Sequence, residues 1–323
     1  MSLQNKTRVA ICICTFRRPE LLRELLQGFG RLTFHKVAAP QIQIVVVDND
    51  ELASAEQVSR AVSVPYPLTY VVEPSRGITY ARNRAITEAG LMDFIAFIDD
   101  DETPSPHWLD ELLAAQAEFC ADVISGPVFP TFAADVPGWV KNGGFFDARS
   151  ATTGTQRPTC ACNNVLIAAH VFTRVPRFDD AFALSGAEDT DFFLRVCQGG
   201  YKIMWSQEAA VFEAVSSGRG TVGWLLRREY QTGNGWVFCE GRIDRSLRNW
   251  MLRFCKAWGH VILGSFNAGL RSLLVDKIGV VRSLQRVSLG IGMLAGLVGH
   301  RFLAYRNAAA EFRALHGVAS RTE

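Results

Sequence analysis

Apolar β-type runs recur through the first 130 residues, and helical segments separate them. RVAICICT (Arg8 to Thr15), IQIVVVDND (Ile42 to Asp50), LTYVVE (Leu68 to Glu73), DFIAFID (Asp93 to Asp99) and DVISGPV (Asp122 to Val128) are apolar almost throughout. A strand that reads apolar on both faces belongs in a sheet covered on both faces, which is the habit of parallel α/β sheets. PELLRELLQGFG, with Pro19 at its start and glycines at its stop, reads as the first helix. The stretch around Ala53 to Val62, GITYARNRAITEAG and PHWLDELLAAQAEF supply further helices. The fold class expected is a Rossmann-like, mostly parallel sheet flanked by helices.

In such sheets ligands bind beyond the carboxyl ends of the strands. Thr15, Phe16 and Arg17 close the first run, Asp48 and Asp50 the second, and Asp99 to Asp101 the fourth. Four acids stand side by side from Asp99 to Glu102. Adjacent carboxylates repel unless a cation or water compensates them. One reading makes Asp101 or Glu102 a cap for the helix that follows, with the others in water. The other makes the run a cation site, since Mg²⁺ and Mn²⁺ take carboxylate oxygens and leave positions open for phosphate.

A second constellation is LSGAEDTDFFLRV, Leu184 to Val196. Glu188 and Asp189 follow a turn of small residues, and Phe192, Phe193 and Val196 face inward on the helix beyond. Acids are stabilised at a helix start. A carboxylate there is also placed to take a proton from an attacking hydroxyl.

In order, VAICICTFRRPELLRELL, IVVVDND, RGITYARNRAI, FIAFIDDDETPSPHWL and GAEDTDFFLRV resemble the family 2 glycosyltransferases of GT-A fold, over about residues 7 to 240. RGITYARN and WLLRREYQTGN are similar to the succinoglycan-type glucosyltransferases of bacterial exopolysaccharide assembly. The resemblance implies a metal-dependent, inverting transfer of a hexose, with glucose favoured, from a UDP-sugar to a lipid-linked saccharide. It implies Thr15, Phe16, Arg17 and Asp48 around base and ribose, and Arg82 near the diphosphate. Asp99 and Asp100 would contact the nucleotide sugar, and Asp101 with Asp99 would ligate Mg²⁺ or Mn²⁺. Asp189 would be the catalytic base, with Glu188 as second choice. Many relatives carry a His where this chain has Glu213, which leaves Glu213 as a metal ligand, an acceptor contact or a solvated residue. Arg227, Arg228 and Asn163 or Asn164 are candidates for contact with acceptor or diphosphate. Two other readings remain open at this level: a nucleotidyltransferase, or a non-catalytic sugar-nucleotide-binding protein at a membrane.

Charge divides the chain. Residues 242–323 hold 13 Lys/Arg against 4 Asp/Glu, whereas the rest is acidic. The expected domains are a catalytic body at 1–241, with a nucleotide half at about 1–128 and an acceptor half at about 129–241, and a basic, apolar helical tail at 242–323. The apolar run Val287 to Gly299 is too short to span a bilayer, which takes about 20 residues. Arginine-bearing helices with broad apolar faces suit an interfacial position on anionic lipid. Glycines 290, 292, 296 and 299 suit close helix packing. The expected partners are a UDP-sugar, a polyprenyl-diphosphate-linked saccharide and an anionic membrane surface, with no nucleic acid. The expected place is the cytoplasmic face of a bacterial inner membrane, peripherally attached. Eight cysteines with no C-x-x-C pair, and no signal peptide read before the first strand, suit reduced, packed thiols.

Overall fold

The computed structural model describes residues 6–147 and 150–304. They divide into two compact units, one of residues up to 180 with 189–220, the other of 181–188 with 221 onward.

The first unit runs β1 (Arg8–Thr15), α1 (Pro19–Gly28), β2 (Gln41–Asp48), α2 (Glu56–Ala61), β3 (Leu68–Val72), α3 (Ile78–Ala89), β4 (Phe94–Ile98), β5 (Glu102–Pro104) and α4 (Trp108–Phe119). It continues through β6 (Val123–Ser125), β7 (Val128–Phe132), α5 (Gly138–Lys141), β8 (Gln156–Arg157) and β9 (Asn164–Ala168). Helix α6 (Glu188–Gln198) from Asp189 on, β10 (Ile203–Trp205) and β11 (Val211–Val215) complete it. The main sheet has the order β3-β2-β1-β4-β9-β6-β10-β8, and a small sheet has the order β5-β11-β7.

Alternation along the strands builds two cores. Val9, Ile11 and Ile13 of β1 pack with Leu22, Leu25 and Leu26 of α1 and Trp108 of α4. Ala10 and Cys12 pack on the other face with Ala81 and Ala85 of α3 and with Phe192, Phe193 and Val196 of α6. Successive strand residues point to opposite faces, so a strand with helices on both sides must be apolar at every position. Among the described residues the eight cysteines form no disulfide, and Cys12, Cys162 and Cys239 are buried as small apolar residues.

Two details depart from a simple parallel sheet. Strand β9 runs antiparallel to both β4 and β6, and β8 runs antiparallel to β10. A run such as NVLIA is apolar whichever way it points, so periodicity does not encode its direction. The stretch DVISGPV also splits, β6 joining the main sheet and β7 the small one. A Cβ at Gly126 would collide with the Ala209 carbonyl, and Pro127 offers no N–H to a ladder.

The second unit carries α7 (Val222–Ile243), α8 (Leu247–Leu273) and α9 (Lys277–Leu297). Helix α9 packs on both others through its glycines. A side chain at Gly290 would meet the Ala257 carbonyl of α8, and one at Gly292 or Gly296 would meet the backbone of Tyr230 or Asn234 on α7. Residues 305–323 of the basic tail lie outside the described residues.

Candidate active site

The carboxyl ends of β1, β2 and β4 lie side by side, with Thr15 opposite Asp48 in register. The chain leaves β1 through Arg17, whose φ of 58° is left-handed. That region costs a non-glycine residue about 1–2 kcal/mol. The conformation is held by a two-pronged ion pair, Arg17 Nε to Asp50 Oδ2 at 3.0 Å and Nη2 to Oδ1 at 3.1 Å. The guanidinium also lies 4.8 Å from the Phe16 ring centroid. The turn ends at Pro19, where α1 starts, and it delivers Arg18 toward the acid run.

Asp48 is fully enclosed. Its carboxylate accepts from Ala55 N (2.7 Å), the Tyr70 hydroxyl (2.9 Å) and Asp50 N (3.0 Å). Burial pushes its pKa up, and these three donors oppose that. The Asp50 and Ala55 donors shape the loop from Asn49 to Ala55, so Asp48 organises that loop from within.

The acids at the end of β4 separate into four environments. Asp99 is crowded by protein, yet its side chain keeps 45 % of its surface open. The Arg82 Nη2 stands 3.9 Å from its Oδ1, and Arg82 itself is buried over the Phe178 ring. Burial, and then the charges of Asp101, Asp100 and Glu213, raise the Asp99 pKa to about 7 against the opposing pull of Arg82. Asp100 is buried. It accepts from Thr15 Oγ1 at 2.7 Å and pairs with Arg18 Nη1 at 3.2 Å. Asp101 meets the same Arg18 nitrogen at 3.2 Å and Arg219 Nη1 at 3.5 Å. Glu102 turns inward on β5, accepting from Asp99 N at 3.1 Å and from Asn163 Nδ2 at 2.9 Å. Burial first, and the Asp99 charge second, push its carboxyl well above the usual range.

Glu213 lies on β11 directly across from Glu102, and its Oε1 is 2.6 Å from Arg219 Nη2. Asn163 therefore reaches the cluster. Asn164 does not, because its amide is used up by Trp108 Nε1 and by the carbonyls of Pro127 and Ala209. Asp189 begins the first-unit part of α6, and its Oδ1 accepts from Thr190 N at 2.6 Å. Burial first, and the neighbouring Cys162 second, push the Cys160 thiol pKa up. Glu188 is buried and belongs to the other unit. Arg227 and Arg228 lie on α7, their guanidiniums over the rings of Phe302 and Trp224.

Thr15, Asp100, Asp101 and Glu213 are thus joined through Arg18 and Arg219, and Arg82, Asp99 and Asn163 through Glu102. The two sets meet where Asp99 adjoins Asp100, and Arg17, Asp50 and Asp48 form a third. Three members escape a reading by motif: Arg18, Glu102 and Arg219. Arg18 is signalled by the doubled arginine before Pro19, and Glu102 by completing the acid run. Arg219 sits in SSGRG with no signal beyond its charge.

Among the described residues, no three His, Cys, Asp or Glu side chains are grouped so as to cage an ion. Mg²⁺ usually binds through one or two carboxylates plus phosphate oxygens and water. Asp99 and Asp101 offer hard oxygen donors of the kind that Mg²⁺ and Mn²⁺ take.

Comparison with known proteins adds a lineage. The sequence model described as glycosyl transferase family 2 matches residues 10–175, and that of glycosyl transferase family group 2 matches 94–304. The succinoglycan biosynthesis protein ExoM of Rhizobium meliloti is 34 % identical over 237 residues, covering 72 % of this chain and 75 % of that protein. The glucosyl-dolichyl phosphate glucuronosyltransferase of Haloferax volcanii is 23 % identical, covering 71 % and 75 %. Residues 1–349 of TarS from S. aureus superpose with a TM-score of 0.51 at 14 % identity, over 91 % of this chain and 92 % of that one. GalNAc-T7, solved with UDP, GalNAc and Mn2+, gives a TM-score of 0.51 at 14 % identity over 72 % of this chain and 51 % of that one.

Proposed function

This chain belongs to glycosyl transferase family 2, and on that premise we propose that it moves a hexose, glucose by preference, from a UDP-sugar to a lipid-linked saccharide. The product is a growing exopolysaccharide or cell-surface polysaccharide. Family membership makes the chain a glycosyltransferase and sets aside the nucleotidyltransferase reading. A relative 34 % identical takes its name from succinoglycan biosynthesis, which supports the polysaccharide context. Another is named for glucosyl-dolichyl phosphate, a lipid-linked sugar, which supports the acceptor class. The work is proposed to take place at the cytoplasmic face of a bacterial inner membrane.

One observation carries the reading. Acids and arginines alternate at the carboxyl edge of the sheet, with Arg18 and Arg219 on Asp101 and Arg82 beside Asp99. Neither sign of charge is isolated, as a site for an anionic diphosphate and its cation requires. Asp99 and Asp101 would hold Mg²⁺ or Mn²⁺. That ion, when bound, would offset charge on the leaving diphosphate.

The chain's own groups do the rest. Asp48 and Tyr70 keep the loop beside the base in shape, and Phe16 with Arg17 lines it. Arg18, Arg82 and Arg219 hold the phosphates. Asp189 takes the proton from the acceptor hydroxyl, whose oxygen bonds to the anomeric carbon on the face opposite the diphosphate. The bond from that carbon to the diphosphate oxygen breaks, and UDP departs with the electron pair. One displacement inverts the anomeric centre. Asn163, Arg227 and Arg228 are assigned to the acceptor and diphosphate, and Glu213 to positioning through Arg219.

The test is release of UDP from UDP-glucose with a bacterial lipid extract as acceptor, alongside Asp189→Asn. Release that EDTA abolishes, and that falls about 10²–10⁴-fold in the folded variant, is the expected result. Normal turnover by that variant would remove Asp189 from the mechanism, and turnover indifferent to EDTA would remove the cation.

A further inference from the structure

We infer that α8 lies flat in the headgroup layer of an anionic bilayer and sinks one apolar face among the acyl chains. This deepens the membrane part of the proposal above and is independent of its chemistry.

The apolar run from Val287 falls on α9 as far as Leu297, and α9 packs against both α7 and α8. The bare surface is elsewhere. Along one side of α8, Met251, Phe254, Trp258, Ile262, Phe266 and Leu273 are all exposed. Their spacing of three, four and seven residues keeps them on one face of a helix. The opposite face is committed, since Arg253, Ala257 and Gly264 are buried, and a Cβ at Gly264 would crowd Ser283 and Val287 of α9. A helix locked to a neighbour on one side and apolar on the other presents its length to a flat surface. Monomers rarely leave so large a contiguous apolar patch in water.

Charge identifies the occupant. Helix α8 contains Arg248, Arg253, Lys256 and Arg271 and no acid. Arg253 is spent internally on Glu240. Arg245, Arg248 and Lys256 are exposed around the start of the helix, the same stretch in which the Trp250 and Phe254 rings stack 5.4 Å apart. Cations with aromatic rings at the edge of an apolar face match the headgroup region of an anionic leaflet. A second copy of α8 would bring more cations and no acid to meet them. Spanning is excluded for the described helices, none of which is long and apolar enough to cross a membrane. The uncharged stretch Ala257 to Leu270 would extend roughly 21 Å against a hydrocarbon core of about 30 Å.

The experiment is flotation of the full chain with phosphatidylcholine vesicles, with and without phosphatidylglycerol. The wild type is expected to float with the anionic vesicles, and less so with neutral ones or in high salt. Ile262 and Phe266 are 61 % and 70 % exposed, so a double Ile262→Ser, Phe266→Ser variant should fold and unfold as the wild type does. That variant is expected to lose flotation while UDP release in detergent continues. Arg248→Gln with Lys256→Gln is expected to lose the preference for phosphatidylglycerol. A wild type that stays at the bottom of the gradient, or a Ser variant that floats equally well, would overturn the inference. So would a wild-type dimer that the Ser variant converts to monomer, which would give the face to a second copy. Absence of UDP release would count against the enzyme reading alone.

Discussion

Arg219 and Glu213 are joined across 2.6 Å, and the other guanidinium nitrogen of Arg219 reaches Asp101 at 3.5 Å. A single arginine therefore links the strand opposite Glu102 to the acid run. Two carboxylates hold it in one orientation, so on the proposed reading it is in place before the donor's diphosphate arrives. Arg219→Ala is expected to lower kcat/KM for UDP-sugar on the order of 10²–10³-fold, the cost of one lost electrostatic donor. Arg219→Lys should recover little, because a point charge does not reproduce the planar fork. Steady-state kinetics of both variants checks this, and a Lys variant at wild-type rate would count against the fork.

Asn164 joins three elements through one amide. It accepts from Trp108 Nε1 at 2.8 Å and donates to the carbonyls of Pro127 and Ala209 at 2.9 and 2.7 Å. Its neighbour Asn163 turns the other way, to Glu102. Each buried group left without its partner costs about 1–3 kcal/mol. Asn164→Ala, which strands three, is expected to destabilise the first unit strongly. Asn163→Ala is expected to cost less stability and more activity. Urea unfolding beside turnover measurements distinguishes the two.

Much of this site is written plainly in the sequence, and the reason is burial. Thr15 and Asp48 end, and Asp99 follows, strands that are buried along most of their length, so the ends of the apolar runs mark the polar edge of the sheet directly. What escapes is the division of labour inside DDDE. Four adjacent acids look alike in a sequence, yet Asp100 is tied to Thr15, Asp101 to Arg18 and Arg219, and Glu102 to Asn163. Those ties come from residues distant in the chain, and no local periodicity encodes them. The antiparallel entry of β9 is hidden for the same reason, since an apolar run has no arrow. The apolar face of α8 escapes because its exposure depends on which side of the helix α9 occupies.

Asp110 supplies a pH signature away from the site. Its carboxylate accepts from the backbone N–H groups of His35, Lys36 and Val37 at 2.9–3.1 Å. Burial raises its pKa, but these three donors outweigh burial and hold the carboxyl below the usual range. The folded state therefore binds this proton less tightly than the unfolded chain. The stabilisation is present above the unfolded pKa of about 3.9 and is lost as pH falls through the lower folded value. Asp110→Asn is expected to lose about 1–3 kcal/mol at neutral pH. The difference from wild type should shrink in acid, which urea midpoints measured at descending pH would record.

The glycines of α9 set how closely three helices of the second unit approach. A Cβ on Gly292 would run into the backbone carbonyl of Tyr230, and one on Gly290 into that of Ala257. Backbone does not step aside as a flexible side chain does, so the helices must separate. Asn234 makes the separation costly, because its amide donates to the Gly292 carbonyl at 3.3 Å and to the His300 carbonyl at 2.8 Å. An exposed Gly→Ala change in a helix stabilises by about 1 kcal/mol through propensity. Here the sign should reverse: Gly292→Ala is expected to lower stability by about 1–3 kcal/mol, the range for overpacking a filled core. Gly269→Ala on α8, where a Cβ meets nothing within 4 Å, is the matched control and should hold or raise stability. Thermal unfolding of the pair tests the claim, and a Gly292→Ala protein as stable as its control would show that the helices can part without loss.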